Sequence, residues 1–171
     1  MNLVPHQVNR LVIEVAGSFD DFRARYEAAV PALDPAVIPG FVQREAPWDE
    51  VVAATEAAAP HGFLIYWSLD MRLMALAGDP GSCVTYLMGN HTIAERMYRH
   101  DQAAMLYVPL RVVICARVDG PTRFLIDQPS TALSSLGIRE ITEVGRELDQ
   151  KLAALLTALD ASVPAVLREA A

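Results

Sequence analysis

Four short sequences in the middle of the chain decide its fold: LMGNH at 87–91, AERMYRHD at 94–101, LYVPLRV at 106–112 and DQPS at 127–130. The first closes an apolar run with Gly-Asn, which is typical of a strand that leads into a helix. The third opens a long apolar strand, and the fourth follows the return strand of a hairpin. We therefore expect a strand, a helix and two further strands in this order.

The rest of the chain divides into strands and helices by the same criteria. Apolar, β-branched runs predict strands at residues 8–15, 63–68, 83–88, 107–118 and 122–127. Helical spacing predicts helices at residues 19–30, 48–59, 91–100 and 141–159. The last of these helices has an apolar stripe that consists of Val144, Leu148, Leu152, Leu155 and Leu159.

Several connections carry signals of their own. The proline-rich segment 33–47 is expected to be a loop, and Asp-Pro-Gly-Ser at 79–82 predicts a turn. Residues 70–77 are ambiguous between a further strand and a short helical turn. Ser18 and Asp21 have the spacing of a capping box, which places the start of the first helix.

These elements predict a single α+β domain over residues 1–171, with a mostly antiparallel sheet and helices packed on one face. Their order is β-α-α-β-β-(β)-α-β-β-α, where the bracketed strand is the ambiguous segment. Both faces of the predicted strands are apolar in part, although an antiparallel sheet usually has one polar face. A homodimer interface or a ligand pocket is therefore expected to cover the second face.

The composition excludes two classes of partner. The net charge is −7, the pI is about 5.0 and the arginines are scattered, so the chain lacks the basic cluster of a nucleic-acid-binding protein. It also lacks an apolar run of the ~20 residues that a membrane-spanning helix requires. Its first residues do not resemble a signal peptide. We expect no nucleic acid and no membrane as a partner.

The two cysteines bear on the location of the protein. Cys83 and Cys115 lie in apolar runs and do not have the CxxC spacing of a redox or metal motif. This setting favours free thiols in a reducing cytosol over a disulfide. The expected location is cytoplasmic.

The quoted sequences, with their Gly-Asn step, Pro-Leu-Arg-Val strand and Gly-centred hairpin, resemble the bacterial domain-of-unknown-function 302 family. The resemblance implies a family-like core at about residues 60–160, with residues 8–59 as part of the same domain. It also implies a small α+β fold with the topology of the TATA-binding protein, β-α-β-β-β-β-α in outline, often paired as a dimer. Family members commonly have Gly-Asn-Pro where this chain has Gly-Asn-His at 89–91. No common activity comes with the resemblance.

His91 is the first candidate for chemistry, because it opens a helix, where free N–H groups and the helix dipole favour an anion. Glu95 and Tyr98 follow at helical spacing, so the three side chains are expected on one face. His91 and Glu95 are then the candidate catalytic acid and base. The helix start is expected to lower the pKa of His91, which suits a neutral base. The alternative is structural, with His91 bonded to backbone and Thr92 and Glu95 forming a capping box.

A pocket at this helix start is expected to use as its ligand-binding residues Asn90, His91, Tyr66, Tyr98, Arg111 and Asp70. Arg111 interrupts an apolar strand, and its charge needs a partner if it is buried. Asp127 or Asp70 would supply that partner in a structural ion pair. In the functional alternative, Arg111 binds the carboxylate or phosphate of a ligand.

The sequence predicts no metal site, because the four histidines do not have the spacing of a chelating set. Phosphate-loop and nucleophile-elbow motifs do not occur. Haem held by His91 as a single axial ligand is the one cofactor left open.

Three functions are compatible with these residues. The first is a cytoplasmic domain that binds a small, partly apolar molecule near His91, as a homodimer. The second is a cofactor-independent acid–base enzyme of the isomerase or lyase type, in which Arg111 holds an anionic substrate beside His91 and Glu95. The third is a module that only forms an interface through its apolar sheet face. The sequence does not decide whether the protein is an enzyme.

Overall fold

A five-stranded sheet organises the chain, of which the computed structural model describes residues 3–78 and 81–168. All neighbouring strands are antiparallel, and their order in the sheet is β1-β5-β4-β3-β2. The strands are β1 Arg10–Val15, β2 Leu64–Asp70, β3 Ser82–Gly89, β4 Leu110–Ala116 and β5 Thr122–Asp127. The prediction of an α+β fold with a mostly antiparallel sheet is confirmed.

The described part of the chain contains six α-helices, namely α1 Phe19–Ala29, α2 Val37–Gln43, α3 Trp48–Ala58, α4 His91–Tyr98, α5 Pro129–Leu133 and α6 Arg139–Ala158. Shorter 3₁₀ helices cover Met71–Ala77, Gln102–Leu106, Ser134–Leu136 and Ala165–Leu167. Ser18 caps α1, because its side chain accepts a hydrogen bond from the Asp21 N–H at 3.2 Å, as its spacing predicted.

One face of the sheet is buried because side chains alternate along each strand. In the centre of the sheet, Ile114 on β4 pairs with Val84 on β3 and with Phe124 on β5, and all three are fully buried. Helix α1 covers this face through the fully buried Phe22 and Tyr26, whose rings lie 6.3 and 5.9 Å from that of Phe124. Each such side chain stabilises the fold by roughly 1.5–3 kcal/mol through burial.

Helix α6 completes the cover with its predicted apolar stripe. The stripe residues, none of which is more than 4% exposed, are Val144, Leu148, Leu152, Leu155 and Leu159. They join the residues of the sheet and of α1 in one apolar core. Helical periodicity in the sequence was therefore sufficient to identify the buried side of α6.

Helices form in the segment 33–47, which was expected to be a loop, and in the connection between β5 and α6, for which no helix was predicted. Helix α2 lies within the proline-rich segment 33–47, and α5 begins at Pro129. Pro39 lies in the first turn of α2, and Pro129 occupies the first position of α5. N–H groups in a first helical turn have no partner within the helix, so proline is tolerated there.

The predicted long strand 107–118 is shorter than expected. Residues Gln102–Leu106 form a 3₁₀ helix, the Val108–Pro109 peptide is cis, and β4 begins only at Leu110. Proline lacks the N–H that a strand donates to its neighbour, so Pro109 lies outside the ladder.

The ambiguous segment 70–77 is resolved as a 3₁₀ helix that Asp70 caps, so the optional strand is not formed. In the predicted turn at 79–82, positions 79 and 80 lie outside the described residues.

The opposite face of the sheet is partly exposed. We call it the open sheet face, and its middle row crosses all five strands through Val12, Leu125, Val113, Thr85 and Leu69. At the two ends of this row, Val12 is 53% exposed and Leu69 is 47% exposed. The second face of the sheet is therefore apolar in part, as its sequence indicated.

Candidate functional site

A cavity of about 280 Å³ lies beside the start of α4. We call it the His91 cavity. Its apolar wall includes Phe63, Ile93, Met97, Met105, Pro109 and Leu148. The polar side chains that reach it are those of Tyr66, Asn90 and His91, so its chemistry depends on these three.

The Gly-Asn step before α4 shapes one end of this cavity. Gly89 ends β3, and a Cβ atom at this position would lie 3.2 Å from Pro109 Cβ and 3.5 Å from Tyr66 Cε2. A side chain at position 89 would therefore require Pro109 to shift, while it would touch Tyr66 at ordinary contact distance. Glycine lets the three segments that carry these residues approach each other closely.

Asn90 then starts the helix. Its Oδ1 accepts hydrogen bonds from the backbone N–H groups of Thr92 at 2.9 Å and Ile93 at 3.3 Å. Its Nδ2 donates to the Gly62 carbonyl at 3.1 Å, which ties α4 to the segment before β2. The N-cap is thus Asn90, and the capping box considered for Thr92 and Glu95 does not form. Asn90 lines the cavity, but its side chain is engaged in positioning His91.

His91 is held by hydrogen bonds to both of its ring nitrogens. Tyr66 Oη lies 2.8 Å from His91 Nδ1, and Thr55 Oγ1 lies 2.7 Å from His91 Nε2. The Thr55 hydroxyl donates its single proton to the Val51 carbonyl at 2.7 Å. It must therefore accept from His91 Nε2–H, which leaves Nδ1 to accept from the Tyr66 hydroxyl.

Tyr66, His91, Thr55 and the Val51 carbonyl form a hydrogen-bonded chain in which every group is uncharged. Burial lowers the pKa of His91, so the uncharged imidazole is favoured. Burial also raises the pKa of Tyr66 to about 12, which keeps the phenol protonated at neutral pH. The expected lowering of the His91 pKa is confirmed, and burial of the ring is its cause.

Glu95 and Tyr98 lie away from the His91 cavity. The carboxylate of Glu95 accepts two hydrogen bonds from the guanidinium of Arg99, the residue that follows the end of α4. Glu95 and Arg99 line a separate, more open cavity of about 690 Å³. Tyr98 is 48% exposed and accepts a hydrogen bond from Gln102 Nε2 at 3.0 Å. The shared face expected for His91, Glu95 and Tyr98 is not observed.

The first position of a helix explains this divergence. Helical side chains point back towards the N-terminus, so His91 at the start of α4 reaches past the helix to Thr55 on α3 and Tyr66 on β2. Glu95 has a full turn of α4 before it and pairs along the exposed surface instead.

Arg111 lies on the open sheet face, opposite Leu87 of β3. It is exposed, and within residues 3–78 and 81–168 it forms no ion pair. The two acids considered as its partners bind other arginines: Asp127 binds Arg10 at 3.4 Å, and Asp70 binds Arg23 at 2.8 Å. The expected Arg111 ion pair was wrong, because strand alternation places this residue away from the buried face.

Asp70 has a structural environment. Besides its ion pair with Arg23 it accepts a hydrogen bond from the Arg72 N–H at 3.0 Å. The hydrogen bond from Arg23 lowers its pKa, so the carboxylate is ionised. Asp70 does not line the His91 cavity.

Sequence reasoning missed Thr55, which completes the environment of His91. Its side chain is 2% exposed and comes from the Ala-rich helix α3. A threonine inside such a helix commonly bonds the carbonyl four residues earlier, as Thr55 does with Val51. On its far side His91 borders a second apolar cavity of about 330 Å³ between α2 and α3, lined by Leu33, Val37, Phe41 and Leu64.

The same geometry bears on metal and haem binding. Within the described residues, no group of three or more His, Cys, Asp or Glu is placed to hold a metal ion. Haem ligation by His91 would require one of its two hydrogen bonds to break, since both ring nitrogens are engaged.

No helix among the described residues has the length and apolarity to cross a membrane.

Comparisons with known proteins place the fold. The structure is similar to the crystal structure of an uncharacterized conserved protein DUF302 from Bacillus stearothermophilus, with a TM-score of 0.62 and 14% sequence identity. The similarity covers 88% of this chain and 97% of that chain, and at this identity it shows a shared fold alone. No curated protein matches the sequence significantly.

The family model of DUF302, a domain of unknown function, matches residues 41–159. The match starts before the expected boundary near residue 60, so α3 with Thr55 lies inside the family region. It also includes the Gly-Asn step, α4 and the hairpin of β4 and β5 on which the resemblance was based. The chain therefore belongs to the DUF302 family.

Proposed function

We propose that this domain binds a small, uncharged and largely apolar organic molecule in the His91 cavity. The observation that carries the proposal is an apolar cavity whose polar contact is a fixed, neutral chain of Tyr66, His91 and Thr55. Its volume of about 280 Å³ suits a small ligand. Sites for drug-sized ligands usually run from roughly 300 to 1,000 Å³ and are likewise mostly apolar with a few placed polar groups.

The hydrogen bonds of the site indicate the chemistry of the ligand. Tyr66 gives its only proton to His91, so towards the cavity its oxygen is an acceptor. Every fully buried side-chain nitrogen or oxygen in the described part of the chain already has a partner. A charged ligand would lose its hydration and gain no counter-charge, which costs several kcal/mol. An apolar molecule with one hydroxyl or N–H group fits these constraints.

The same geometry gives less support to an acid–base enzyme. Its three expected residues, His91, Glu95 and Arg111, occupy the cavity wall, the exposed side of α4 and the open sheet face. The proton chain from Tyr66 through His91 ends at the Val51 carbonyl, which accepts a hydrogen bond but does not take up a proton at neutral pH. We therefore favour binding over proton transfer.

A thermal-shift screen tests the proposal. Neutral aromatic alcohols, indoles and short alkanols are compared with carboxylates of matched size on three proteins: the native chain, Ala94→Leu and Ala154→Leu. Ala94 lines the His91 cavity, and its longer replacement would fill it. Ala154 lines the separate cavity of about 690 Å³ that Glu95 and Arg99 also line, and it is the matched control.

Neutral compounds are expected to raise the Tm of the native chain and of Ala154→Leu but not that of Ala94→Leu. Stabilisation follows RT ln(1 + [L]/Kd), which is about 2.7 kcal/mol at a hundredfold excess over Kd. Equal shifts in Ala94→Leu, or stronger stabilisation by the carboxylates, would overturn the proposal.

We also propose that the chain forms a cytoplasmic homodimer through the open sheet face. The row from Val12 to Leu69 supports the interface, because it is apolar except for Thr85, and a partly exposed apolar row of this kind is typical of a contact surface. The free state of Cys83 and Cys115 supports a reducing compartment.

Tryptophan fluorescence tests the dimer. Trp67 is 47% exposed beside this row, and Trp48→Phe leaves it as the only tryptophan. Dilution is expected to shift its emission to the red as the dimer separates, with Leu69→Arg already shifted at high concentration. A monomer by sedimentation at every concentration would exclude the dimer.

A further inference from the structure

We infer that Cys83 and Cys115 are a redox pair that forms a reversible disulfide within one chain. The two residues are direct cross-strand partners in the register of β3 and β4, so their side chains lie on the same face of the sheet. Opposite Cα atoms in an antiparallel pair lie about 4.5–5.5 Å apart. Disulfides span Cα distances of about 4.4–6.8 Å, so the bond needs no strand movement.

The pair is accessible to a small oxidant. Both thiols are free and partly exposed, and on the open sheet face they lie two residues along their strands from Thr85 and Val113, outside the middle row that supports the proposed dimer. Cys83 follows the first residue of β3, Ser82, and Cys115 precedes the last residue of β4, Ala116, so the pair lies near one end of both strands. The pairing lies within one chain and does not depend on the proposed small-molecule site.

The surroundings distinguish the two thiols. Arg123, the β5 partner of Cys115, donates an N–H from Nη2 to the Cys115 sulfur at 4.0 Å, which places a positive charge beside this sulfur. Burial raises the pKa of the Cys83 thiol, and Cys115 and Asp70 raise it further. Cys115 is therefore the thiol that reacts first, and Cys83 is the one that resolves it.

With hydrogen peroxide as the oxidant, the reaction takes place in two steps. The Cys115 thiolate attacks one peroxide oxygen, the O–O bond breaks, and the released hydroxide takes a proton to become water. The Cys83 thiolate then attacks the sulfur of the Cys115 sulfenic acid, the S–O bond breaks, and a second water leaves. The two thiols together lose two protons and two electrons, and one peroxide becomes two waters.

The disulfide would close a segment that contains α4 and much of the wall of the His91 cavity. Within it lie His91, Met97, Met105 and Pro109, all of which line that cavity. A bond across the base of this segment restricts the unfolded chain, so the oxidised protein is expected to have the higher Tm.

Peroxide treatment of the reduced, full-length protein tests the inference. The intact mass is expected to fall by about 2 Da as both thiols become unreactive to maleimide together. A non-reducing peptide map should join the peptides of Cys83 and Cys115, and dithiothreitol should restore both thiols. In Cys83→Ser, Cys115 should stop at a sulfenic acid that dimedone traps, whereas Cys115→Ser should react more slowly.

Three outcomes would overturn the inference: oxygen added to one cysteine while the other stays free, a disulfide between two chains, or no reaction with excess peroxide. Circular dichroism of both serine variants shows whether they are folded. The peptide map of the native chain decides the pairing even if one variant does not fold.

Discussion

The two sides of helix α4 differ in how they hold their polar groups. Towards the His91 cavity, His91 is neutral and hydrogen-bonded to other neutral groups. On the other side, Arg96 binds Glu147 through two bonds of 2.7 Å, and Glu95 binds Arg99. Burial excludes charge from the first side, while exposure permits ion pairs on the second. The charged residues of α4 therefore lie on its exposed side, and its neutral histidine lies on the side of the His91 cavity.

This difference changes how the sequence of α4 is interpreted. His91 and Glu95 are four residues apart, and that spacing alone suggested one acid–base site. The partners of each residue come from different places: Thr55 and Tyr66 for His91, and Arg99 for Glu95. A helical spacing of four residues is therefore not enough to predict an acid–base pair; both side chains must also contact the same cavity.

The largest expected effect is that of His91→Ala. The change leaves the hydroxyls of Thr55 and Tyr66 without their partner, and Thr55 is 2% exposed. We expect the free energy of unfolding to fall by about 2–4 kcal/mol. Urea unfolding followed by circular dichroism measures it.

Glu95→Ala is the control for that prediction. It removes an exposed ion pair with Arg99 and is expected to cost less than about 0.5 kcal/mol. Equal losses in the two variants would show that the two sides of α4 do not differ in the way described.

Tyr66→Phe should have a smaller effect, because it removes one hydrogen-bond donor and keeps the ring. We expect a loss of about 1 kcal/mol in the free energy of unfolding.

Nitrogen-15 NMR of the imidazole should show the proton of His91 on Nε2 in the native chain. A proton on Nδ1 instead would contradict the order of the hydrogen-bond chain.

The pH dependence of stability tests the neutral state of His91. Burial lowers its pKa from 6.5, so below that value the unfolded chain binds more protons than the folded chain. The contribution of His91 is full above pH 6.5 and is lost as the pH falls through the folded-state pKa. Between about pH 7 and 5, the native chain should lose more stability than His91→Gln does. Identical slopes would mean that the pKa of His91 is not lowered.

A small effect that depends on salt is expected from Arg96 on the exposed side of α4. Arg96→Ala breaks the ion pair with Glu147, in which both side chains are 44% exposed. The expected cost is within about 1 kcal/mol at low salt and decreases as salt is added. A cost that salt does not change would mean that the side chain of Arg96 stabilises by packing rather than by charge.

The architecture could be predicted from the sequence because it depends on periodicity. Apolar, β-branched runs identified the strands of the hairpin, and helical spacing identified the buried stripe of α6. Helix α2 was missed because the prolines of segment 33–47 are typical of loops, although Pro39 lies where a helix tolerates proline. Arg111 was assigned to the site because the sequence does not show which face of a strand is buried when both are apolar.

The site could be predicted in part. His91, Asn90 and Tyr66 all line the cavity, since a Gly-Asn step at the end of a strand brings a helix start to the sheet edge. Glu95, Tyr98, Arg111 and Asp70 do not line it. Thr55 precedes His91 by 36 positions, and only tertiary packing brings α3 against α4.

Native mass spectrometry of the protein as purified from cells, with Ala94→Leu and Ala154→Leu beside it, tests the central claim most directly. The account predicts a retained small neutral molecule on the native chain and on Ala154→Leu, and its loss from Ala94→Leu, in which the His91 cavity is filled. A molecule retained equally by Ala94→Leu, or all three proteins at their bare mass even after incubation with the neutral compounds of the screen, would contradict it.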